Sequence, residues 1–204
     1  VDTMAGHISL RPLNYPDAGL DYPLDTLFDI TPELTADIEA ISTAWAPRTF
    51  AMADAISYPN ALRVKLISYD PVRDPEVFPR HTWKVVGEIP EEGGVMLSTG
   101  VAELFELQVG DILTLSLRTA AGSINAQTLP VKAVYSIGNP ALDSIGVMVP
   151  QATFRALIDS DKVSHISLKL AHRNAAADAE KTLHTSWGES LDAVTWIEAT
   201  KDLL

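Results

Sequence analysis

His7, His81, His165, His172 and His184 are the side chains best suited to proton transfer or metal ligation in this sequence. No two of them stand four residues apart, the spacing that would set a ligand pair on one helix face. A metal site would therefore need distant segments to converge, and solvated or hydrogen-bonded histidines are the plainer expectation, with His7 at an exposed strand edge. Cysteine is absent, which excludes disulfides, thiolate zinc sites and thiol nucleophiles. Ser98-Thr99-Gly100 lacks the Gly-x-Ser-x-Gly frame of a nucleophile elbow, so Ser98 reads as a helix cap. "EIPEEGG", residues 88–94, lacks the Gly-Lys-Ser/Thr ending with which a P-loop holds phosphate, and Glu91 and Glu92 read as solvated loop charges. Asp111 follows Gly110 ahead of an apolar run, and Asp143 also precedes one; both placements are ordinary turn chemistry. Trp45, Trp83, Trp187 and Trp196 could stack a sugar or a lipid, but their positions near element ends suit core packing better. Trp83, in a proline-rich stretch, is the least explained. A hydrolase built on Asp111 or Asp143 with a distant histidine has no motif behind it. The expectation is a non-catalytic chain with no cofactor and no metal.

The elements that would position such residues are regular. At 204 residues with 47% hydrophobic and 21% charged side chains, the chain can bury a proper core. A net charge of −12, with Lys and Arg scattered singly, excludes the clustered cations that nucleic acid requires. No apolar run approaches the roughly 20 residues needed to span a bilayer. The first residue is Val and no secretion leader is visible, so the expectation is a piece of a longer protein.

"GHISLRPL" predicts a first strand, followed by the proline-containing loop "NYPDAGLDYPLD". Thr31 as N-cap and Pro32 at the first helical position open a helix carrying Leu34, Ile38, Ile41 and Trp45 at helical spacing. "RTFAMADAIS" and "LRVKLISY" are strands joined through Tyr58-Pro59-Asn60, and "DPVRDPEVFPR" is an irregular crossover. A strand from Val95, a short helix, a Val109-Gly110-Asp111 turn, the strand "ILTLSL", a polar tip bent at Gly122 and the strand "LPVKAVYSI" follow. Beyond Gly138-Asn139-Pro140 come a strand "SIGVMVP", a helix "QATFRALIDS", a strand "VSHISLKL", an Ala-rich helix capped by Asn174, and a last strand "AVTWIE" before "ATKDLL". The order predicts an α+β fold with split boundaries at 1–86, 87–140 and 141–204, the middle piece a small β-rich insertion and both chain ends in one outer layer.

"GEIPEEGGVMLSTGVAELFELQVGDILTLSL", with its flanks, resembles the MacB-like periplasmic core domain of ABC transporter permeases of the FtsX, LolC, LolE and MacB type. "GHISL", "LISYDPVRDPEVFP", "VYSIGNPALDSIGVMVPQATFRALI" and "VTWIEATKDLL" resemble further segments of that family in the same order, so the likeness runs along nearly the whole chain. It implies a porter-like α/β lobe built from both chain ends, with an inserted small β-rich lobe. It also implies a place outside the cytoplasmic membrane, between the first two membrane helices of a permease. A cytoplasmic ABC ATPase, separate or fused, would then drive a homo- or heterodimer of permease subunits. The domain would transmit that motion to export or extract a lipoprotein, lipid, peptide or drug, or to regulate a periplasmic adaptor or lipoprotein partner.

Members of the LolC kind carry a longer, basic, proline-containing excursion where this chain has only "RTAAGSINAQT". The tip Ala120, Ala121, Gly122, Ser123, Ile124 and Asn125 is the surface expected to meet a partner. The competing expectation is a stand-alone periplasmic binding or adaptor module, recognising a lipid or peptide between its lobes without an ATPase.

Overall fold

The computed structural model describes residues 6–16 and 22–201. The expected loop "NYPDAGLDYPLD" falls partly, and the end of "ATKDLL" wholly, outside those residues. Among the described residues the chain forms two sheets, one of four strands and one of seven.

Both ends of the chain build the four-stranded sheet. Strand β1 (Ile8–Pro12) lies between the last strand, β11 (Leu191–Thr195), and β10 (His165–Lys169), with β2 (Ala44–Arg48) outside β10. All three pairings are antiparallel, with Ile8 opposite both Leu168 and Thr195. One face is apolar because Ile8 and Leu10 alternate with Ser9 and Arg11. Two helices cover that face, α1 (Pro32–Ile41) with Leu34 and Ile38, and α6 (Ala176–Trp187) with Ala176, Ala179 and Leu183. Helix α1 starts where Thr31 accepts from the Leu34 amide at 3.2 Å, with Pro32 immediately after it.

The larger sheet is mixed. It contains β3 (Phe50–Ser57), β4 (Asn60–Tyr69), β5 (Lys84–Gly87), β6 (Val95–Ser98), β7 (Ile112–Arg118), β8 (Ile124–Ser136) and β9 (Gly146–Pro150). The order is β5-β8-β6-β9-β4-β3-β7, and β7 also pairs with β8. Six strands therefore close into a barrel, and β5 hangs on the outside of β8 as an edge. Closure is possible because β8 is long: its first half pairs with β7 and its second half with β6 and β5. Lys132 is an extra residue in this strand, since Val95 faces Val131 but Met96 faces Ala133. That bulge turns both Val131 and Val134 toward the barrel core. The core also takes Ala51, Ala53 and Ala55 from β3, plus buried residues of α3 (Thr99–Phe105) and α5 (Gln151–Ile158).

The sheets divide the chain differently from the boundaries expected at 86 and 140. Strands β3, β4 and β9, expected in the outer lobe, belong to the larger sheet. The sheet changes between Arg48 and Phe50, and again between Pro150 and His165. Periodicity identifies a strand but carries no information on which strand it will pair with.

Three local expectations are also corrected. Asn174 does not cap α6; it lies in a 3₁₀ turn, Arg173–Ala175, that leads directly into the helix. Ser98 occupies the position before α3, but its fully buried hydroxyl makes no capping bond. The last strand ends at Thr195, and Trp196–Lys201 is helical, α7. Glu198 accepts from the amide and hydroxyl of Thr195, both at 3.3 Å, a capping arrangement that turns the strand into a helix.

Candidate functional site

The tip between β7 and β8 is shaped by short-range bonding. Thr119 and Ser123 close the turn through an amide–carbonyl bond of 2.7 Å and a hydroxyl–hydroxyl bond of 2.9 Å. Gly122 has φ of +87°, a conformation a side chain would resist, and its carbonyl accepts from the Arg118 guanidinium at 2.7 Å.

Not all six expected residues face outward. The Ala120 amide donates to the Ile158 carbonyl at 3.0 Å. The Asn125 amide group donates to the Ala156 and Leu157 carbonyls at 2.9 and 3.0 Å. These are carbonyls at the C-terminal end of α5, where the helix itself supplies no donors. The hairpin is thus pinned to a helix, leaving Ala121, Gly122, Ser123 and Ile124 exposed, with Ile124 at 75%.

Beside the tip lies an open cleft of about 590 Å³. Ala120, Gly122 and Ile124 line one wall; Met52, Asp54 and Arg63 line another. Sequence reasoning missed the second wall. It is brought in by the β3–β7 pairing, with Asp54 opposite Ser116, and no local pattern announces a contact across that many residues. Arg63 and Asp54 form an ion pair of 3.1 Å, but both side chains are more than half exposed, so it contributes little.

The two sheets meet at a joint with stronger chemistry. His165, the first residue of β10, is half-buried against Phe50 and Tyr15, with ring centroids 4.8 and 4.7 Å away in edge-to-face geometry. Its Nδ1 lies 2.8 Å from the Ser164 hydroxyl, which also accepts from the Phe50 amide at 3.2 Å. Burial pushes the imidazole pKa down to about 3, with Arg11, Lys65 and Arg48 adding in the same direction. The ring is a neutral wedge at ordinary pH. Burial likewise raises the Tyr15 phenol to about 12.

Behind this wedge, the expected irregular crossover is held by charge. Helix α2 (Asp74–Val77) presents Asp74 to Arg48 of β2 and, at 3.2 Å, to Arg80. The Arg48 guanidinium lies 3.5 Å over the Phe78 ring. Trp83, unexplained by sequence, stacks on Tyr135 with centroids 5.7 Å apart. Trp45, Trp187 and Trp196 all border the core of the four-stranded sheet.

The remaining expected residues are structural. Asp111 accepts from the Gln108 amide at 2.8 Å across its turn. Asp143 is buried and accepts from the Ser136 hydroxyl and the Ile137 and Gly138 amides. His7 is half-buried rather than an exposed edge residue; its Nδ1 accepts from the Leu170 amide at 3.0 Å. Among the described residues, no three His, Asp or Glu side chains stand together so as to hold a metal ion.

No family model matches the sequence, and no curated protein matches it. Solved structures do. The extracellular domain of the noncanonic ABC-type transporter YknZ from Gram-positive bacteria superposes with a TM-score of 0.59 at 15% identity, covering 92% of this chain and 99% of that one. The periplasmic region of MacB from Actinobacillus actinomycetemcomitans gives 0.61 at 12% identity, covering 96% and 91%. The fold is MacB-like. A permease-protein domain from Porphyromonas gingivalis gives 0.52 at 11% identity, covering 97% of each chain. The MacB-like fold thus covers 92–97% of the chain, in agreement with the resemblance carried by the sequence motifs. At these identities the likeness is one of fold. No helix among the described residues is long and apolar enough to cross a membrane.

Proposed function

We propose that this chain is an extracytoplasmic domain of an ABC transporter permease subunit. It sits outside the cytoplasmic membrane and passes ATPase-driven motion to a substrate or to a partner protein. The observation that carries the reading is the end-to-end likeness to permease domains, in a molecule whose two chain ends pair as neighbouring strands, β1 and β11. Force applied at both ends would enter through one sheet and cross the joint at His165 and Arg48 into the barrel. The lobes of this reading are the four-stranded sheet with its helices, and the barrel formed by roughly residues 49–163.

The partners implied are a cytoplasmic ABC ATPase and a second permease subunit. The exposed tip from Ala121 to Ile124 is a surface for contact with a periplasmic adaptor, a lipoprotein or another substrate. The domain itself has no catalytic role in this reading.

The test is the coding sequence on either side of Val1 and Leu204. One span of about 20 apolar residues before and three after are expected. A secretion leader before and a stop codon directly after would overturn the permease reading in favour of a free binding or adaptor module.

A further inference from the structure

The barrel core does not end cleanly. Beside α3 the larger sheet continues past its helical cover onto β8 and the edge strand β5, leaving a groove of about 590 Å³. Val134, packed against the barrel core, lines the groove together with Val86, Leu107 and Val109. Val86 is 69% exposed and Val109 41%. Gathered valines at the margin of a core are a surface that water disfavours and that another apolar layer would cover.

The other wall is one stripe of α3. Thr99, Ala102 and Glu103 line the groove at helical spacing i, i+3, i+4, and Glu106 joins them from just past the helix end, where its φ is +55°. The small side chains come first and the two carboxylates last. The lining carries two acidic side chains and no basic one; Glu88, exposed just after β5, adds to the acidic margin. Lys84 lies two residues before Val86, outside the lining.

We propose that this groove receives an amphipathic helix of a partner protein, its apolar face on Val86, Val109 and Val134 and a Lys or Arg margin against Glu103 and Glu106. A helix fits because a sheet face is normally covered by helices packed side by side, and Thr99 and Ala102 allow close approach to α3. A second copy of this chain fits poorly. Its net charge is −12, and its helices α1, α5 and α6 already bury their apolar sides. This inference stands apart from the permease reading, since it rests on the groove alone.

The probe is a stapled helical peptide with Leu along one face and Lys along its margin, titrated into the nitrogen-labelled chain. Two control peptides are used: one with Glu in place of Lys, and one with the same residues scrambled. Saturable amide shifts confined to residues 84–88, 99–109 and 134 are expected. Val86→Asp should weaken binding by about tenfold or more, and because the side chain is exposed the variant should melt like the parent. Glu103→Lys with Glu106→Lys should reverse the preference between the Lys and Glu peptides. Shifts scattered over the acidic surface, equal binding by the scrambled peptide, or no saturable binding would overturn the proposal. Self-association of the chain that excludes the peptide would overturn it in favour of a second copy.

Discussion

The Arg48 guanidinium and the Asp74 carboxylate pair at 2.5 Å with both side chains fully buried, tying β2 of the smaller sheet to the crossover helix α2. Arg80 approaches the same Asp74 oxygen at 3.2 Å. Removing Arg48 takes the closer cation from Asp74 in a dry site and leaves Arg80, at 3.2 Å, to balance it. Arg48→Ala is expected to cost about 3–5 kcal/mol in urea unfolding. Arg48→Met combined with Asp74→Leu and Arg80→Met should recover most of that loss, because none of the three variant side chains needs a counter-charge. A loss below about 1 kcal/mol for the single variant, the range of a solvated surface pair, would show that the site admits water.

His165 gives the protein an acid-sensitive joint. Its folded pKa, about 3, lies below the unfolded value of about 6.5, so between those values the unfolded chain binds the extra proton. The stabilisation is fully present above pH 6.5 and is lost as pH falls toward 3. Its limit is about 1.4 kcal/mol per pH unit in that window. The carboxylates also titrate on this limb, so the informative quantity is the difference from His165→Leu. Thermal melts across pH 3–7 should show a shallower acid limb for the variant.

Asn125 holds the hairpin tip onto α5 through two carbonyls. Asn125→Ala should cost about 1 kcal/mol and leave the barrel intact. Hydrogen exchange is the sharper measurement. The Ala120 amide, bonded to the Ile158 carbonyl, should exchange faster in the variant, while the Leu115 amide deep in β7 should not change.

Asp143 satisfies two backbone amides and a hydroxyl from a buried position. Asp143→Ala should cost about 1–3 kcal/mol, since the Ile137 amide loses its acceptor and the Gly138 amide keeps only the Ser136 hydroxyl. Asp143→Asn keeps an acceptor oxygen and should cost less. Denaturant unfolding of both variants tests the order; equal losses would mean that the carboxylate charge, not the accepting oxygen, is what matters.

Much of the architecture was legible in residue order. Thr31-Pro32 announces α1 because a hydroxyl cap and a residue lacking an N–H both suit a helix start. Alternation marks β1, β4 and β7, and Gly110 and Gly122 mark turns that require positive φ. The MacB-like likeness was likewise visible in the sequence, as an ordered series of short segments. These features are local: each depends on the conformational preferences of a few adjacent residues. Pairing is not local. That β3 and β4 join the barrel, that β8 bends at Lys132 to serve three neighbours, and that Arg48 meets Asp74 depend on which distant surfaces bury together. The Trp196 turn into helix hinges on two Glu198 bonds that compete with strand propensity. The cleft wall of Met52, Asp54 and Arg63, and the groove beside α3, exist only once the barrel has closed. Closure is decided by burial summed over the whole chain, a quantity that no short stretch of sequence contains.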